Sequence, residues 1–594
     1  MSTPPYPLPS APPWPHCAHG ANPATDPVGC RGIQVPGHPT CLAHLTDADR
    51  NTYLAGLAPG ASIDHRGTHF TEPLLTSLLH ALHDPTTQKP HLGGARFDEA
   101  QFSGDAEFGG ARFSGNAGFD GAQFSRDAQF QRTQFSGNAW FRDAQFSGQA
   151  EFDEAQFSRY AQFYRAQFSG RARFDIAQFS GQASFTKAQF FGDTAFHAAQ
   201  FSGDATFDDA RFSKFAGFYG VQVSGNARFN RARFSATSWF GPVMCRQEVD
   251  LSGAAFEVPV TLEIAAREVR CVRTRWESTA TVRLRYARVD LSHAVLSSPV
   301  AVTAHPACFT ASNGPMDESW LAGPAGVRVA SVQGVDAAHL VLTDTDLSDC
   351  LFAGAFHLDQ LRLEGRCAFA PVPAGWHRHG LRPVRWTRRR TLAEEHHWRA
   401  QGAGQPAVAP GLPPSPGVWR TGPHHPDPDL TPDPEDVAAT YRQLRKAFED
   451  SKNEPGAADF YYGEMEMRRH DRTGTPPGER GLLHGYWLLS GYGLRASRAL
   501  GWLAAAMLVT ITLLMGFGLP QASPKQQATG IVPPGGGAVT FVIDKEDPQN
   551  PTGDRFTSKR FDKALGSVFG CDQGAARVRS LIQITEARRW SPAR

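Results

Sequence analysis

The chain has 594 residues, with 41 Phe, 58 Gly and 44 Pro but only 11 Tyr. This length allows about three to five domains, and 20% charged with 41% hydrophobic residues excludes a chain that is disordered throughout. Lys and Arg number 59 against 58 Asp and Glu, which argues against a protein governed by nucleic-acid electrostatics. Nine Cys favour reduced thiols over a disulfide-stapled secreted protein.

Residues 1–90 contain two helix start signals. Thr46 precedes Asp47, and Thr71 precedes Glu72 and Pro73, a pattern typical of helix N-termini. We therefore predict a small helical cap over 1–90 that covers one end of the repeat domain after it.

The same module contains a potential metal-binding set. Cys17, Cys30, Cys41 and His44 offer three thiols and one imidazole, and such a set can hold zinc in a tetrahedron. Their spacing lacks the close Cys-x-x-Cys pairs of common zinc fingers. The alternative is that these residues pack without a metal, since free Cys often behaves as a small hydrophobic residue. We predict no other cofactor.

Between residues 91 and 242, Phe recurs at steps that alternate between five and six residues. Of 27 consecutive positions in this ladder, 26 are Phe and one is Val223. Most of them follow an Ala by two residues, and Ser-Gly follows most second positions. Because residues i and i+2 of an extended segment share a face, Phe and Ala are predicted to point inward together. The ladder residues are Phe97, Phe102, Phe108, Phe113, Phe119, Phe124, Phe130, Phe135, Phe141, Phe146, Phe152, Phe157, Phe163, Phe168, Phe174, Phe179, Phe185, Phe190, Phe196, Phe201, Phe207, Phe212, Phe218, Phe229, Phe234 and Phe240.

The repeat resembles the pentapeptide-repeat family, here its bacterial, membrane-anchored type, whose five-residue unit has a central Leu or Phe and a small residue two positions earlier. The resemblance implies a mainly β fold, a right-handed quadrilateral β-helix. With four sides, the alternation of five and six predicts coils of 22 residues. It also predicts Ser-Gly bulges along two opposite corners, where Gly would adopt a positive φ.

The segments after the regular repeat are less uniform. Residues 243–370 are β-rich, and we interpret them as a degenerate continuation of the β-helix with a loop inserted around 303–326. Residues 371–433 are rich in Pro, His and Arg, which is typical of a linker. Its cations and Trp side chains could contact anionic lipid, or simply be solvated; nucleic acid is a weaker alternative. These residues are Trp376, Arg378, Arg382, Arg385, Trp386, Arg388, Arg389 and Arg390.

The C-terminal part is predicted to reach a membrane. A helical hairpin over 434–472 and an aromatic-rich interfacial segment over 473–498 precede 499–519, which has no charged residue and is long enough to span a bilayer. Arg480, Arg495 and Arg498 lie on its N-terminal side, so the positive-inside rule places 1–498 in the cytoplasm. The tail 520–594 has no second such stretch, and we considered that this end is truncated.

The sequence predicts a non-enzymatic protein. It has no phosphate-binding loop, no Gly-x-Ser-x-Gly elbow and no dinucleotide fingerprint. We favour a membrane-tethered scaffold that binds an unknown protein partner; neither nucleic acid nor a small-molecule substrate is expected. The alternatives are a DNA mimic that modulates a type II topoisomerase, and the regulatory solenoid of a membrane channel or sensor. Residues 95–240 carry 15 acidic and 15 basic side chains, which counts against mimicry of a polyanion.

Overall fold

The structure is a computed structural model, and it forms two compact units, Met1–Gly474 and Thr475–Arg594. The first unit contains the repeat, and the second contains the apolar helix. The described residues are 11–22, 25–311, 314–374, 376–379, 382–405, 417–422, 433–519, 526–530, 541–545 and 553–569.

The repeat forms a β-solenoid with four faces, which confirms the predicted fold class. We name the faces first to fourth after the ladder residues Phe97, Phe102, Phe108 and Phe113. Strands of successive coils pair in parallel at an offset of 22 residues, as between Phe102 and Phe124, so the coil length follows the alternation of five and six. The second face alone contains eleven strands.

The strands of the regular coils are two or three residues long, apart from one of four. On the first face they are Ile63–Asp64, Ala95–Arg96, Ala117–Gly118, Ala139–Trp140, Ala161–Gln162, Ala183–Ser184, Ala205–Thr206 and Ala227–Arg228. On the second they are His69–Phe70, Gln101–Phe102, Gln123–Phe124, Gln145–Phe146, Gln167–Phe168, Gln189–Phe190, Arg211–Phe212, Arg233–Phe234, Ala255–Phe256, Arg275–Trp276 and Val295–Leu296. On the third they are Ala106–Glu107, Ala128–Gln129, Ala150–Glu151, Ala172–Arg173, Thr194–Ala195 and Ala216–Gly217. On the fourth they are Lys89–Leu92, Arg112–Phe113, Gln134–Phe135, Gln156–Phe157, Gln178–Phe179, Gln200–Phe201 and Val221–Val223.

The ladder residues fill the interior of the solenoid. All 26 Phe are at most 2% exposed, and each stacks on its counterpart one coil away, as Phe102 does on Phe124 at 4.7 Å between ring centres. Rings of neighbouring faces meet edge to face, as Phe119 and Phe130 do at 5.5 Å. The core is therefore continuous along the prism, and its residues hold the coils in register.

The two kinds of corner differ in a way that the sequence did not reveal. At the six-residue corners the Gly residues have no positive φ; instead, they lie against the previous coil. A Cβ on Gly170 would stand 2.2 Å from the carbonyl oxygen of Gly148. The left-handed residues sit at the five-residue corners, and they include Arg165 (φ 57°) and Ile176 (φ 59°). The expectation of positive φ at the Ser-Gly bulges was therefore wrong, because close stacking rather than φ selects Gly there.

Beyond Phe256 the coil shortens from 22 to 20 residues. Phe256 pairs with Trp276, and Trp276 pairs with Leu296, because the Ser-Gly insertions are missing. Residue Val300 then pairs with Leu340, so an inserted loop separates these two coils. The strands of this region, which often run around a corner, are Trp239–Asp250, Val260–Arg270, Ala280–Arg285, Arg288–Asp290, Val300–Ala304, Arg328–Ser331, Leu340–Thr343 and Arg362–Glu364, with a hairpin of Thr310–Ala311 and Gly314–Pro315 in the loop.

The N-terminal end carries two helices, α1 (Asp47–Ala55) and α2 (Glu72–Ala81). Thr46 caps α1 by accepting a hydrogen bond from Asp49 N–H, as its sequence signal predicts. The first strands of the solenoid, Ile63–Asp64 and His69–Phe70, lie within the segment interpreted as the helical cap, and α2 follows them as an excursion from the coil. A 3₁₀ turn, Leu42–His44, and a hairpin of His83–Asp84 with Lys89–Leu92 complete this end.

The C-terminal end of the solenoid is covered by α3 (Ala393–Gly402), α4 (Pro434–Asp450) and α5 (Glu454–His470). Helices α4 and α5 form the predicted hairpin, whereas α3 lies in the segment interpreted as a linker. Buried Glu394 accepts hydrogen bonds from the backbone N–H groups of Phe352 and Ala353. These helices therefore satisfy donors on the last coils. Short 3₁₀ turns and strand pairs nearby are Ala337–His339, Leu358–Gln360, Ala370–Pro371 with Arg390–Thr391, and Trp376–His379 with Arg382–Arg385.

The second unit contains α6 (Pro477–Ser490), α7 (Ala496–Leu513) with a π-helical end (Leu514–Gly518), and α8 (Ser558–Phe569). Among the described residues, one helix, Ala496–Gly518, is long and apolar enough to cross a membrane. A hairpin of Gln526–Gly530 with Phe541–Lys545 belongs to the predicted tail. The rest of 520–552 and all of 570–594 lie outside the described residues, as does the argument that used the charge of Lys525.

Candidate metal centre and aromatic patch

The four predicted metal ligands come together at the N-terminal end of the solenoid. One donor atom from each of Cys17, Cys30, Cys41 and His44 lies within 4.8 Å of all the others. The Sγ atoms of Cys30 and Cys41 are 3.7 Å apart. His44 Nδ1 lies 3.5 Å from Cys17 Sγ and 3.4 Å from Cys41 Sγ.

These distances match the edges of a zinc tetrahedron. Zinc binds thiolates at about 2.3 Å and imidazole at about 2.0 Å, so tetrahedral angles give an S–S edge of about 3.8 Å and an S–N edge of about 3.5 Å. The chemistry of the donor set therefore fits the ion as well as the sequence-based assignment does.

Local backbone pairing brings the distant cysteines together. Cys17 N–H donates to Gly32 O at 2.8 Å, Ala18 N–H to Cys30 O at 3.0 Å, and Cys30 N–H to His19 O at 2.9 Å. Residues 17–19 and 30–32 thus run side by side, and this pairing replaces the close sequence spacing of a common zinc finger. Cys41 and His44 flank a 3₁₀ turn.

The thiols also receive hydrogen bonds that favour their ionised form. Gly32 N–H donates to Cys30 Sγ at 3.4 Å. The hydrogen bond from Cys41 is the largest effect that lowers the pKa of Cys30, to about 5, and His44 lowers it further. Since metals bind thiolates rather than thiols, a low pKa at Cys30 favours metal binding.

A second feature is an aromatic patch on the outer surface of the third face. Phe215 and Trp239 are 39% and 42% exposed, and with His197 and Tyr219 they border a cavity of about 300 Å³ above Gly217. A Cβ on Gly217 would stand 2.4 Å from His197 Nε2, so only Gly leaves the floor of this cavity open.

The patch interrupts an otherwise polar column of outward-facing side chains. In earlier coils the position equivalent to Gly217 is occupied by polar residues, which pair in register along this face. They are Glu107, Gln129, Glu151 and Arg173. Sequence reasoning missed the patch, because two exposed Phe in a Phe-rich repeat look like part of its core; their position outside the ladder was the available signal.

The comparison with known families agrees with this geometry. The model described as pentapeptide repeats (9 copies) matches residues 88–134 and 130–175. The chain is a pentapeptide-repeat protein. No curated protein and no solved structure gives a significant match to it.

Charges on the pentapeptide-repeat solenoid are paired between coils. Left-handed corner residues of opposite charge lie 22 positions apart, as Arg132 and Glu154 do at 3.1 Å and Arg165 and Asp143 do at 3.0 Å. Each such pair is exposed, so its contribution to stability is small. The pairs nevertheless leave these corners without a continuous stripe of negative charge.

The cation-rich segment before α3 is partly buried. Arg389 donates to both carboxylate oxygens of Glu395, and Tyr441 Oη donates to Glu395 Oε2 at 2.6 Å. The opposite charges of Arg389 and Arg399 hold the pKa of the fully buried Glu395 well below its usual range. Arg389 therefore has a structural role, in contrast to the predicted contact with lipid. The side chains of Arg378, Arg382, Arg385 and Trp376 lie outside the described residues.

Proposed function

We propose that this pentapeptide-repeat protein is a membrane-tethered scaffold that presents its solenoid to a protein partner on the cytoplasmic side. The observation that carries the tether is the exposure of the apolar helix. Leu500, Leu508 and Phe517 are 63%, 67% and 70% exposed. A surface of this size and polarity is unfavourable in water, and a lipid bilayer is the environment that such a helix matches.

The helix before it supports the same proposal. In α6, Leu482 and Leu489 are exposed, and α6 packs against α7 through Arg498, whose guanidinium lies 5.0 Å from the Trp487 ring centre. Trp and Arg are typical of the boundary between lipid and water. We infer that α6 lies at this boundary, with the cations on the cytoplasmic side.

The aromatic patch is the surface that best suits a protein partner. Exposed Tyr, Trp and Phe on a rigid surface are enriched at the centres of protein interfaces. The cavity above Gly217 could accept an apolar side chain of that partner, with Phe215 and Trp239 on either side of it.

The alternatives have less support. A DNA mimic needs a continuous negative surface, whereas the corner charges alternate and pair. A channel or sensor needs a pore or a second spanning element, and one apolar helix provides neither by itself.

Membrane insertion can be tested with the full chain in a cell. We expect it to stay in the membrane pellet after carbonate extraction, and Leu503→Glu combined with Leu508→Glu to release it. Exchanges of equal size at exposed Gln145 and Gln167 of the solenoid are the matched control. Release of the unmodified chain by carbonate would contradict the tether.

Sidedness and docking need separate readouts. In a Cys571→Ser background, exposed Cys308 should react with an impermeant maleimide only after the cells are opened; labelling of intact cells would reverse the topology. For docking, photo-crosslinks formed at Tyr219 should disappear in Phe215→Ser with Trp239→Ser but persist in Gln134→Ser with Gln156→Ser on the fourth face. Crosslinks unaffected by the patch variant would rule out this surface.

A further inference from the structure

We propose that Cys17, Cys30, Cys41 and His44 bind one Zn²⁺, and that this ion fastens the N-terminal segment onto the first coil of the solenoid. This inference does not depend on the membrane tether or on the docking surface. It assigns a structural metal site to the open end of a repeat domain.

The backbone around the cluster is folded as closely as a metal site requires. A Cβ on Gly32 would stand 2.6 Å from Cys41 Cβ and 2.8 Å from its Sγ, so the two chain segments can approach only because residue 32 is Gly. Cys17 and Cys41 are buried, and the rings of His19 and His44 stack at 4.1 Å. This contact fixes the orientation of the imidazole ligand.

The donor set selects the ion and its role. Three thiolates with one imidazole in a tetrahedron suit zinc, whereas Mg²⁺ and Ca²⁺ prefer six or more oxygen ligands. Four protein ligands leave no open coordination position for a substrate, which is characteristic of structural rather than catalytic zinc.

The ion would link segments that have little else to hold them. The N-terminal segment before α1 contains no α-helix and contributes only a few buried apolar side chains, among them Val35 and Leu42. It contacts the first coil through Ile33 N–H, which donates to Arg66 O at 2.8 Å, and through Trp14, which lies 4.8 Å below the Arg66 guanidinium. Zinc would fix the segment that makes these contacts, because the metal-bound form exists only when all four ligands are in place.

The test uses the full chain in detergent, produced with zinc in the medium. We expect about one zinc per chain, as a four-ligand site requires, and loss of zinc as the thiols of the unmodified chain are titrated with a mercurial. Cobalt in place of zinc should give the intense visible bands of a tetrahedral thiolate site. Zinc below one-tenth per chain and no such cobalt bands would overturn the proposal.

Matched variants separate this site from adventitious binding. Cys30→Ser and His44→Ala should lower the zinc content at least tenfold after dialysis, whereas Cys308→Ser and His69→Ala should retain it. Equal zinc in both pairs would overturn the assignment. The mercurial titration requires no variant, so it decides the question even where Cys30→Ser fails to fold.

The fastening role has its own readout. Removing zinc from the unmodified chain should increase hydrogen exchange and proteolysis in residues 11–45 and at the first coil, 63–70, while residues 130–190 stay protected. Unchanged protection of 11–45 after complete zinc removal would refute the fastening role.

Discussion

The central prediction concerns Phe163, which lies in the middle of the ladder. Its side chain has no exposed surface. It stacks on Phe141 and Phe185 at 4.8 Å each, and it meets Phe152 and Phe174 edge to face at 5.4 and 5.5 Å. Phe163→Ala removes four aromatic contacts and leaves a cavity that two complete coils enclose.

The expected loss is about 3–5 kcal/mol, the range for Phe→Ala in a packed core. We place it at the upper end, because each aromatic pair adds about 0.5–1.5 kcal/mol beyond its buried area and strand pairing on both sides limits collapse of the cavity. Since a coil contacts only its neighbours, the loss should remain local. It corresponds to amide exchange that is about 100 to 4000 times faster.

Hydrogen exchange of the full chain, resolved by mass spectrometry, measures this effect coil by coil. Peptides from 140–190 should exchange faster in Phe163→Ala, and those from 95–115 should not. Gln167→Ala, at an exposed position on the same coil, should stay within about 0.5 kcal/mol of the unmodified chain. Equal effects of the two substitutions would refute the assignment of inward and outward positions.

Three further predictions follow from the corners and the C-terminal helices. Ile176→Asn should slow exchange of its coil by up to about 1 kcal/mol, because a β-branched side chain at φ 59° is strained and its 52% exposure leaves little packing to lose; faster exchange would contradict the strain. Arg389→Met should destabilise α3 to α5 by about 3–5 kcal/mol, since it leaves Glu395 buried and unpaired, and adding Glu395→Leu should restore part of the loss; a double variant worse than the single one would contradict this. Burial lowers the pKa of His396 to about 3, so between pH 6.5 and 3 the unfolded state binds the additional proton and stability falls as the pH is lowered; thermal unfolding of these helices in His396→Gln should lose this part of the pH dependence, and an unchanged profile would contradict it.

The ladder was predictable because one residue type repeats at one spacing. A step of five or six fits neither a helix nor a plain strand, and the small residue two positions before each Phe fixes which side faces inward. The role of Gly170 was not predictable, since a positive φ and a close approach of two chains both favour Gly. Nor did the sequence indicate left-handed positions such as Arg165 and Ile176, because these residue types are common in any backbone conformation.

The candidate metal centre shows the same limit. Residue types alone suggested Cys17, Cys30, Cys41 and His44, but only the pairing of residues 17–19 with 30–32 brings the first two cysteines together. In the same way, an Arg-rich composition cannot distinguish a solvated linker from a buried ion pair. The contact of Arg389 with Glu395 depends on α4 and α5, which are remote in sequence.

The fixed coil length gives the gene of this protein a simple way to change the scaffold's dimensions. Deleting or duplicating one complete coil, such as 139–160, would change the distance between the two capped ends by about 4.8 Å while every later strand keeps its face. A change of eleven residues, which is half a coil, would preserve the inward ladder but turn everything beyond it to the opposite side. Length and azimuth can thus vary in separate, discrete steps, like a ruler that is also a dial.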